Sequence, residues 1–165
     1  MLDKSNPIGV MDSGIGGLTV VRELQRILPG EDIIYFGDSA NCPYGNKTAD
    51  QIFELSCHML QFLGSNGVKC TAVACNTIST MAERLRPCFD FRIISIVEEA
   101  AKYVIREKLS SVGLIGTEFT VASGKYAELI HQGNPDCHVV GKGSPLLAAL
   151  VDLSLIHISE PTRPE

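Results

Sequence analysis

The 165-residue chain lacks the features that mark membrane proteins and nucleic-acid-binding proteins. No stretch approaches the roughly 20 continuous apolar residues that span a bilayer, and residues 1–10 lack a basic segment followed by an apolar one. Lys and Arg form no cluster, and 14 of them stand against 19 Asp and Glu, for a formal net charge of −5. Proteins that bind a phosphate backbone normally carry a basic face. We therefore expect a soluble, cytoplasmic protein that binds neither nucleic acid nor membrane.

The cysteines lack the spacing of metal ligands and of a disulfide framework. There is no CxxC, and no Cys–His cluster has the spacing of a zinc site. We expect no metal site, and we expect most of the thiols to be small buried hydrophobic side chains. The six are Cys42, Cys57, Cys70, Cys75, Cys88 and Cys137.

Short apolar runs alternate along the chain with stretches of helical periodicity. Strands are predicted over residues 8–11, 33–36, 71–74, 92–96, 112–115 and 138–140, and helices over residues 18–28, 52–63, 79–85, 97–108 and 121–131. Continuous apolar strands separated by helices indicate a parallel sheet that is buried on both faces. The predicted fold class is α/β, a three-layer open and mainly parallel sheet flanked by helices. Ligands of such sheets lie beyond the carboxyl ends of the strands, so the loops there are candidates for function.

The loop after the first strand, residues 12–19, is rich in glycine. Such a turn can aim backbone N–H groups and a helix N-terminus at an anion. It is neither a dinucleotide fingerprint, since the third glycine would fall on Thr19, nor a P-loop, since no Gly-Lys-Ser/Thr follows. The alternative is a tight strand-to-helix connection capped by Ser13 or Asp12. Asp12, at the strand end, is placed to hold a substrate ammonium or to orient a reacting group.

The loop after the second strand, residues 37–45, is long and polar. Pro43 and Gly45 would fix its turn, and its length would let it reach over a ligand. An ordinary solvated connection, with Asp38 capping a turn, is the alternative.

Cys75 follows the third strand directly and precedes a predicted helix. Backbone N–H groups and a helix dipole at such a position can lower a thiol pKa toward neutrality. Asn76 and Thr77 supply neutral donors suited to a carboxylate. Cys42 also lies in a loop after a strand, but the neighbouring Pro43 removes a backbone donor. Cys75 is therefore the cysteine placed to react.

Three segments in this order, residues 12–20, residues 35–40 with 43–45, and residues 74–77, resemble the glutamate racemases of the aspartate/glutamate racemase superfamily. A fourth segment, Gly116-Thr117 with Thr120, Ser123 and Tyr126, resembles the opening of that family's second domain. The resemblance covers roughly residues 7–152. It implies a first α/β domain over residues 1–95 that lacks its C-terminal return segment, and the start of a second, similar domain over residues 96–152.

The resemblance implies racemisation without a cofactor, in which two cysteines on opposite faces of the substrate transfer the α-proton and interconvert L- and D-glutamate. Cys75 would take the proton from the D-enantiomer, and Asp12 would assist it or bind the ammonium. The implied pathway is peptidoglycan synthesis, the implied partner is glutamate, and a homodimer of the full-length protein is compatible with it. The resemblance further assigns substrate binding to Asp12, Ser13, Tyr44, Gly45, Asn76, Thr77, Thr117 and Thr120.

One part of the family pattern is missing from the sequence. The second catalytic segment, Gly-Cys-Thr-His, does not occur, and Cys137 stands in a different context. Residues 153–165 resemble the translated read-through of a sequencing adaptor, the alternative being a natural short tail. We therefore expect a truncated chain that holds one of the two catalytic cysteines and is inactive or severely impaired by itself.

Two further functions are compatible with the same residues. One is a related racemase acting on aspartate or another small carboxylate. The other is a non-catalytic domain that binds a carboxylate or another anion.

Overall fold

The computed structural model describes residues 4–147 and 150, so the predicted non-native tail at residues 153–165 lies outside the described residues. Within the described part, no helix is both long and apolar enough to cross a membrane. The strands are β1 (Ile8–Asp12), β2 (Ile33–Gly37), β3 (Cys70–Val73), β4 (Arg92–Ser95), β5 (Ser111–Gly116) and β6 (His138–Gly143). The helices are α1 (Leu18–Ile27), α2 (Ala49–Ser65), α3 (Asn76–Ser79), α4 (Ala82–Leu85), α5 (Ile96–Arg106), α6 (Glu118–Ala122) and α7 (Lys125–Gly133).

The first four strands form one parallel sheet in the order β2-β1-β3-β4. Asp12 pairs with Gly37 and Met11 with Val73, so β1, β2 and β3 end at the same edge. The remaining strands, β5 and β6, form a separate parallel pair. The α/β prediction is confirmed, and the sheet brings the three predicted functional loops together.

The core of the larger sheet is built by the apolar face of α2. Ile52, Met59 and Leu63 recur at helical spacing and are buried, and they belong to the same cluster as Met11 and Val73 of the sheet. Helix α2 begins at a capping box in which the Thr48 side chain accepts from the backbone of Gln51 and the Gln51 side chain accepts from the backbone of Thr48. Helix α2 therefore packs against the strands whose ends carry the predicted functional loops.

The predicted helix over residues 79–85 is wrong in its extent, because the structure has two short helices, α3 and α4. The hydroxyl of Thr80 donates to the carbonyl of Thr77 at 2.8 Å, and Met81 departs from helical geometry with φ −105° and ψ 8°. Hydroxyl side chains that bond to nearby carbonyls compete with continued helix.

The predicted helix over residues 121–131 is also divided, into α6 and α7. Gly124 between them has φ +66°, the left-handed conformation that ends a helix and that glycine adopts without strain.

The predicted boundary between residues 95 and 96 stays a prediction. Strand β4 ends at Ser95, whose hydroxyl accepts a hydrogen bond from the backbone N–H of Glu98 and so caps α5. The four-stranded sheet uses strands up to this residue, and the β5–β6 pair uses strands from Ser111 onward.

Candidate active site

A cleft of about 410 Å³ opens where β1 and β3 end. Of the nine predicted site residues, six line it, namely Asp12, Ser13, Cys75, Asn76, Thr77 and Thr117. Two larger cavities, of about 510 and 660 Å³, contain none of the nine. The chemistry of the lining residues, and not cavity size, therefore identifies the candidate site.

Asp12 is buried at the end of β1, and the glycine-rich turn closes around its carboxylate. Oδ2 accepts hydrogen bonds from the backbone N–H groups of Gly14 at 3.2 Å and Gly17 at 3.0 Å. A Cβ at Gly17 would lie 2.7 Å from the Cβ of Asp12, so only glycine allows this approach. We expected the N–H groups of this turn to bind a ligand anion. Two of them, those of Gly14 and Gly17, instead donate to the carboxylate of Asp12.

Cys75 is buried at the end of β3, with its Sγ 3.2 Å from the Oγ of Ser13. Burial is the main cause that raises the pKa of the Cys75 thiol above its ordinary value, and the negative charge of Asp12 adds to it. The Ser13 hydroxyl and the backbone N–H groups of Ser13 and Ile78 act in the opposite direction and do not overcome these causes. The resting site therefore favours a protonated thiol.

This direction is opposite to the lowered pKa that the strand-to-helix position of Cys75 led us to expect. The helix that follows, α3, has only four residues. A single turn contributes little macrodipole, whereas removing a thiolate from water and placing it beside a carboxylate both favour the neutral form.

The loop after β2 is organised by Asp38. This buried carboxylate accepts from the hydroxyl of Tyr44 at 2.6 Å and from the amide of Asn41 at 2.9 Å, and its own backbone N–H donates to the carbonyl of Asp12 at 3.0 Å. Burial and the neighbouring Asp38 raise the pKa of Tyr44, so its phenol remains a donor. The predicted substrate-binding residue Tyr44 thus has its hydroxyl on Asp38 and does not line the cleft.

Cys42, the other cysteine predicted in a loop after a strand, is not one of the described residues that line the cleft. It is half-buried and precedes Pro43 through a cis peptide bond.

Three threonine hydroxyls join α3, which follows the end of β3, to α6. Oγ1 of Thr77 lies 3.0 Å from that of Thr117 and 3.3 Å from that of Thr120, and the last two lie 2.9 Å apart. Thr120 is buried behind the cleft, and Gly45 packs directly against Thr117. The predicted residues Gly45 and Thr120 therefore lie beside the cleft-lining Thr117 and not on the cleft surface itself.

Sequence reasoning missed two residues that shape the site. Asp38 was considered as a turn cap and as part of the resembling segment 35–40, and Tyr126 only as part of a motif. The Tyr126 hydroxyl donates to Oδ1 of Asn76 at 2.6 Å, across 50 positions of sequence. The motif containing Tyr126 was the available signal, but spacing along the chain does not reveal the contact.

No group of three or more His, Cys, Asp and Glu side chains within residues 4–147 and 150 is arranged to hold a metal ion. The chemistry of the cleft is that of a thiol, a carboxylate and neutral hydrogen-bond donors.

Comparison with known proteins relates this arrangement to one family. The Asp/Glu/Hydantoin racemase family profile matches residues 8–161. A glutamate racemase of Streptococcus pneumoniae is 40% identical over 157 residues, which are 94% of this chain and 60% of the relative. The chain thus spans less than two thirds of the length of the curated relatives it matches.

Solved structures give the same result. Glutamate racemase from Francisella tularensis in complex with D-glutamate superposes with a TM-score of 0.83 at 38% identity, over 92% of this chain and 58% of that one. A glutamate racemase isoform from Bacillus anthracis superposes with a TM-score of 0.87 at 33% identity, over 95% of this chain and 60% of that one.

Proposed function

The chain belongs to the Asp/Glu/Hydantoin racemase family, and from this premise we propose that its cleft binds glutamate and transfers the α-proton through Cys75. The observation that carries the proposal is the position of Cys75, which lines the same cleft as Asp12, Ser13, Asn76 and Thr77. Two structural relatives support the substrate class, since one is a complex with D-glutamate and another a complex with β-chloro-D-alanine.

The proton transfer uses the thiol and thiolate forms of one side chain. The Cys75 thiolate takes the α-proton, so the Cα–H bond breaks, an S–H bond forms, and the electron pair stays on the substrate, delocalised into its α-carboxylate. Neutral donors such as Asn76 and Thr77 stabilise the charge that develops there. In the reverse direction the thiol returns the proton to carbon.

Asp12 connects substrate binding to the protonation state of this thiol. Its negative charge is one cause of the raised pKa of Cys75. A substrate ammonium bound beside Asp12 offsets that charge, which removes this cause and favours the thiolate. Substrate binding would thus lower the pKa of the Cys75 thiol from its value in the empty cleft, although burial still raises it, and the proton that leaves the thiol would pass to solvent.

Racemisation needs a second acid on the opposite face of the substrate. The family segment Gly-Cys-Thr-His, which would supply it, is not in the 165-residue sequence. We therefore assign this chain one half of the two-cysteine reaction, with net racemisation severely impaired. In the complete reaction the D-glutamate formed would supply peptidoglycan synthesis in the cytoplasm.

The test is exchange of the α-proton of D-glutamate in D₂O, followed by loss of its proton NMR signal. We expect exchange with the wild-type chain, less exchange with D-aspartate, and no exchange with Cys75→Ser. Cys88→Ser is the matched control, because Cys88 is exposed and does not line the cleft. Equal exchange by wild type and Cys75→Ser, or none by wild type, would contradict the assignment.

The raised pKa of Cys75 favours one alternative, a carboxylate-binding domain that transfers no proton. That function predicts that Cys75→Ser binds D-glutamate as tightly as the wild type does while neither protein exchanges the α-proton.

A further inference from the structure

We propose that Tyr126 is a positioning residue that orients the side-chain amide of Asn76, so that its NH₂ group faces the cleft and donates to a substrate carboxylate. The inference rests on the proposed function, because it takes the cleft to be a glutamate site. It gives a role in substrate recognition to α7, which supplies no residue to the lining of the cleft.

The contact joins two elements that are distant in sequence. Asn76 is the first residue of α3 and lines the cleft, while Tyr126 lies in the first turn of α7. The phenol donates to Oδ1 of the amide at 2.6 Å, a short hydrogen bond. Asn76 is exposed, so this bond is the restraint that distinguishes one amide orientation from the other.

The chemistry of an amide makes that restraint directional. Asparagine carries an acceptor, Oδ1, and a donor, Nδ2, on one planar group, and a 180° rotation exchanges them. Burial raises the pKa of Tyr126, so its phenol keeps the proton that Oδ1 accepts. Within residues 4–147 and 150, the Nδ2 of Asn76 donates no hydrogen bond to another residue, so its two protons are available to a carboxylate.

The residue before Tyr126 fixes the start of α7. The ammonium group of Lys125 contacts Glu83 at 2.9 Å and Glu128 at 2.8 Å, and its side chain is only 13% exposed. Glu83 belongs to α4, so this ion pair holds α7 against the segment that follows α3. The Tyr126 phenol therefore extends from a helix end that the Lys125 ion pairs hold in place.

A double-mutant cycle on the 165-residue chain tests whether Tyr126 acts through Asn76. D-glutamate binding is measured by isothermal titration calorimetry for the wild type, Tyr126→Phe, Asn76→Ala and the double variant. We expect Tyr126→Phe to weaken binding roughly three- to tenfold, as for loss of one hydrogen bond, and to have no further effect once Asn76 is Ala. The same loss in both backgrounds, or no loss in either, would overturn the proposal.

Two controls separate positioning from a general structural effect. Tyr103→Phe removes the hydroxyl of an exposed tyrosine on α5 that does not line the cleft, and it should leave the affinity unchanged. Melting curves followed by circular dichroism establish whether each variant is folded.

A measurement without ligand distinguishes failure of this inference from failure of the proposed function. Nitrogen-15 NMR relaxation of the Asn76 side-chain amide should report an ordered group in the wild type and a mobile one in Tyr126→Phe. If the amide behaves in this way but D-glutamate does not bind, the proposed substrate is wrong and the orienting contact stands. If the amide is equally mobile in both proteins, the positioning role is wrong whatever binds.

Discussion

Replacing Gly45 by alanine tests how closely α6 is held against the loop that follows β2. A Cβ at Gly45 would lie 2.9 Å from both Cβ and Cγ2 of Thr117. Carbon atoms pack best about 3.5–4.0 Å apart, so the variant must separate the two segments by roughly 0.6–1.1 Å. Thr117 cannot yield easily, because its hydroxyl is bonded to those of Thr77 and Thr120.

The cost of this overlap is about 1–3 kcal/mol, the range for overpacking a well-packed site. The φ of Gly45 is not positive, so the backbone itself accepts alanine and the contact alone carries the penalty. For a chain of this size the melting temperature should fall by about 2–12 °C, which calorimetry or circular dichroism measures.

The matched control is Gly30→Ala, since Gly30 is exposed and a Cβ there would meet nothing within 4 Å. It should leave the melting temperature unchanged or raise it slightly, because alanine restricts the unfolded chain. The reasoning fails if Gly45→Ala melts within about 1 °C of the wild type, or if both variants lose the same stability.

Two further predictions concern the thiol and the core. Asp12→Asn should lower the pKa of Cys75, so the pH profile of its alkylation by iodoacetamide should move to lower pH. Ser13→Ala should raise that pKa and move the profile to higher pH. Shifts of the two profiles in the same direction would contradict the assigned causes. Leu63→Ala, at a fully buried position, should lower the free energy of unfolding measured in urea by about 2–5 kcal/mol. Leu18→Ala, at a residue that is 50% exposed, should lower it far less. Equal losses in the two variants would refute the packing argument.

The strands and their order along the chain follow from local patterns. Five of the six predicted strands lie within one residue of the observed ends, because a buried parallel strand reads as a short apolar run whatever it pairs with. The sixth, predicted over residues 138–140, continues to Gly143 through glycine and lysine residues that carry no apolar signal. The helix breaks at Met81 and Gly124 were missed because the apolar spacing continues across them.

The candidate site was likewise predicted only in part from the sequence. Asp12 and Cys75 were found from their positions directly after apolar strands, and parallel pairing then requires them to meet at one edge. The loop containing Tyr44 was predicted as well, but not the hydrogen bond that its phenol donates to the Asp38 carboxylate.

By itself the sequence determined the fold class, the edge of the sheet that carries the candidate site, and the residues that resemble the racemase family, because strand periodicity and position after a strand are local properties. Only the tertiary structure decided which side chains meet across long separations, as Ser13 meets Cys75 and Tyr126 meets Asn76. It also decided the direction of the thiol pKa, since burial and the nearby charge of Asp12 arise only when the chain is packed.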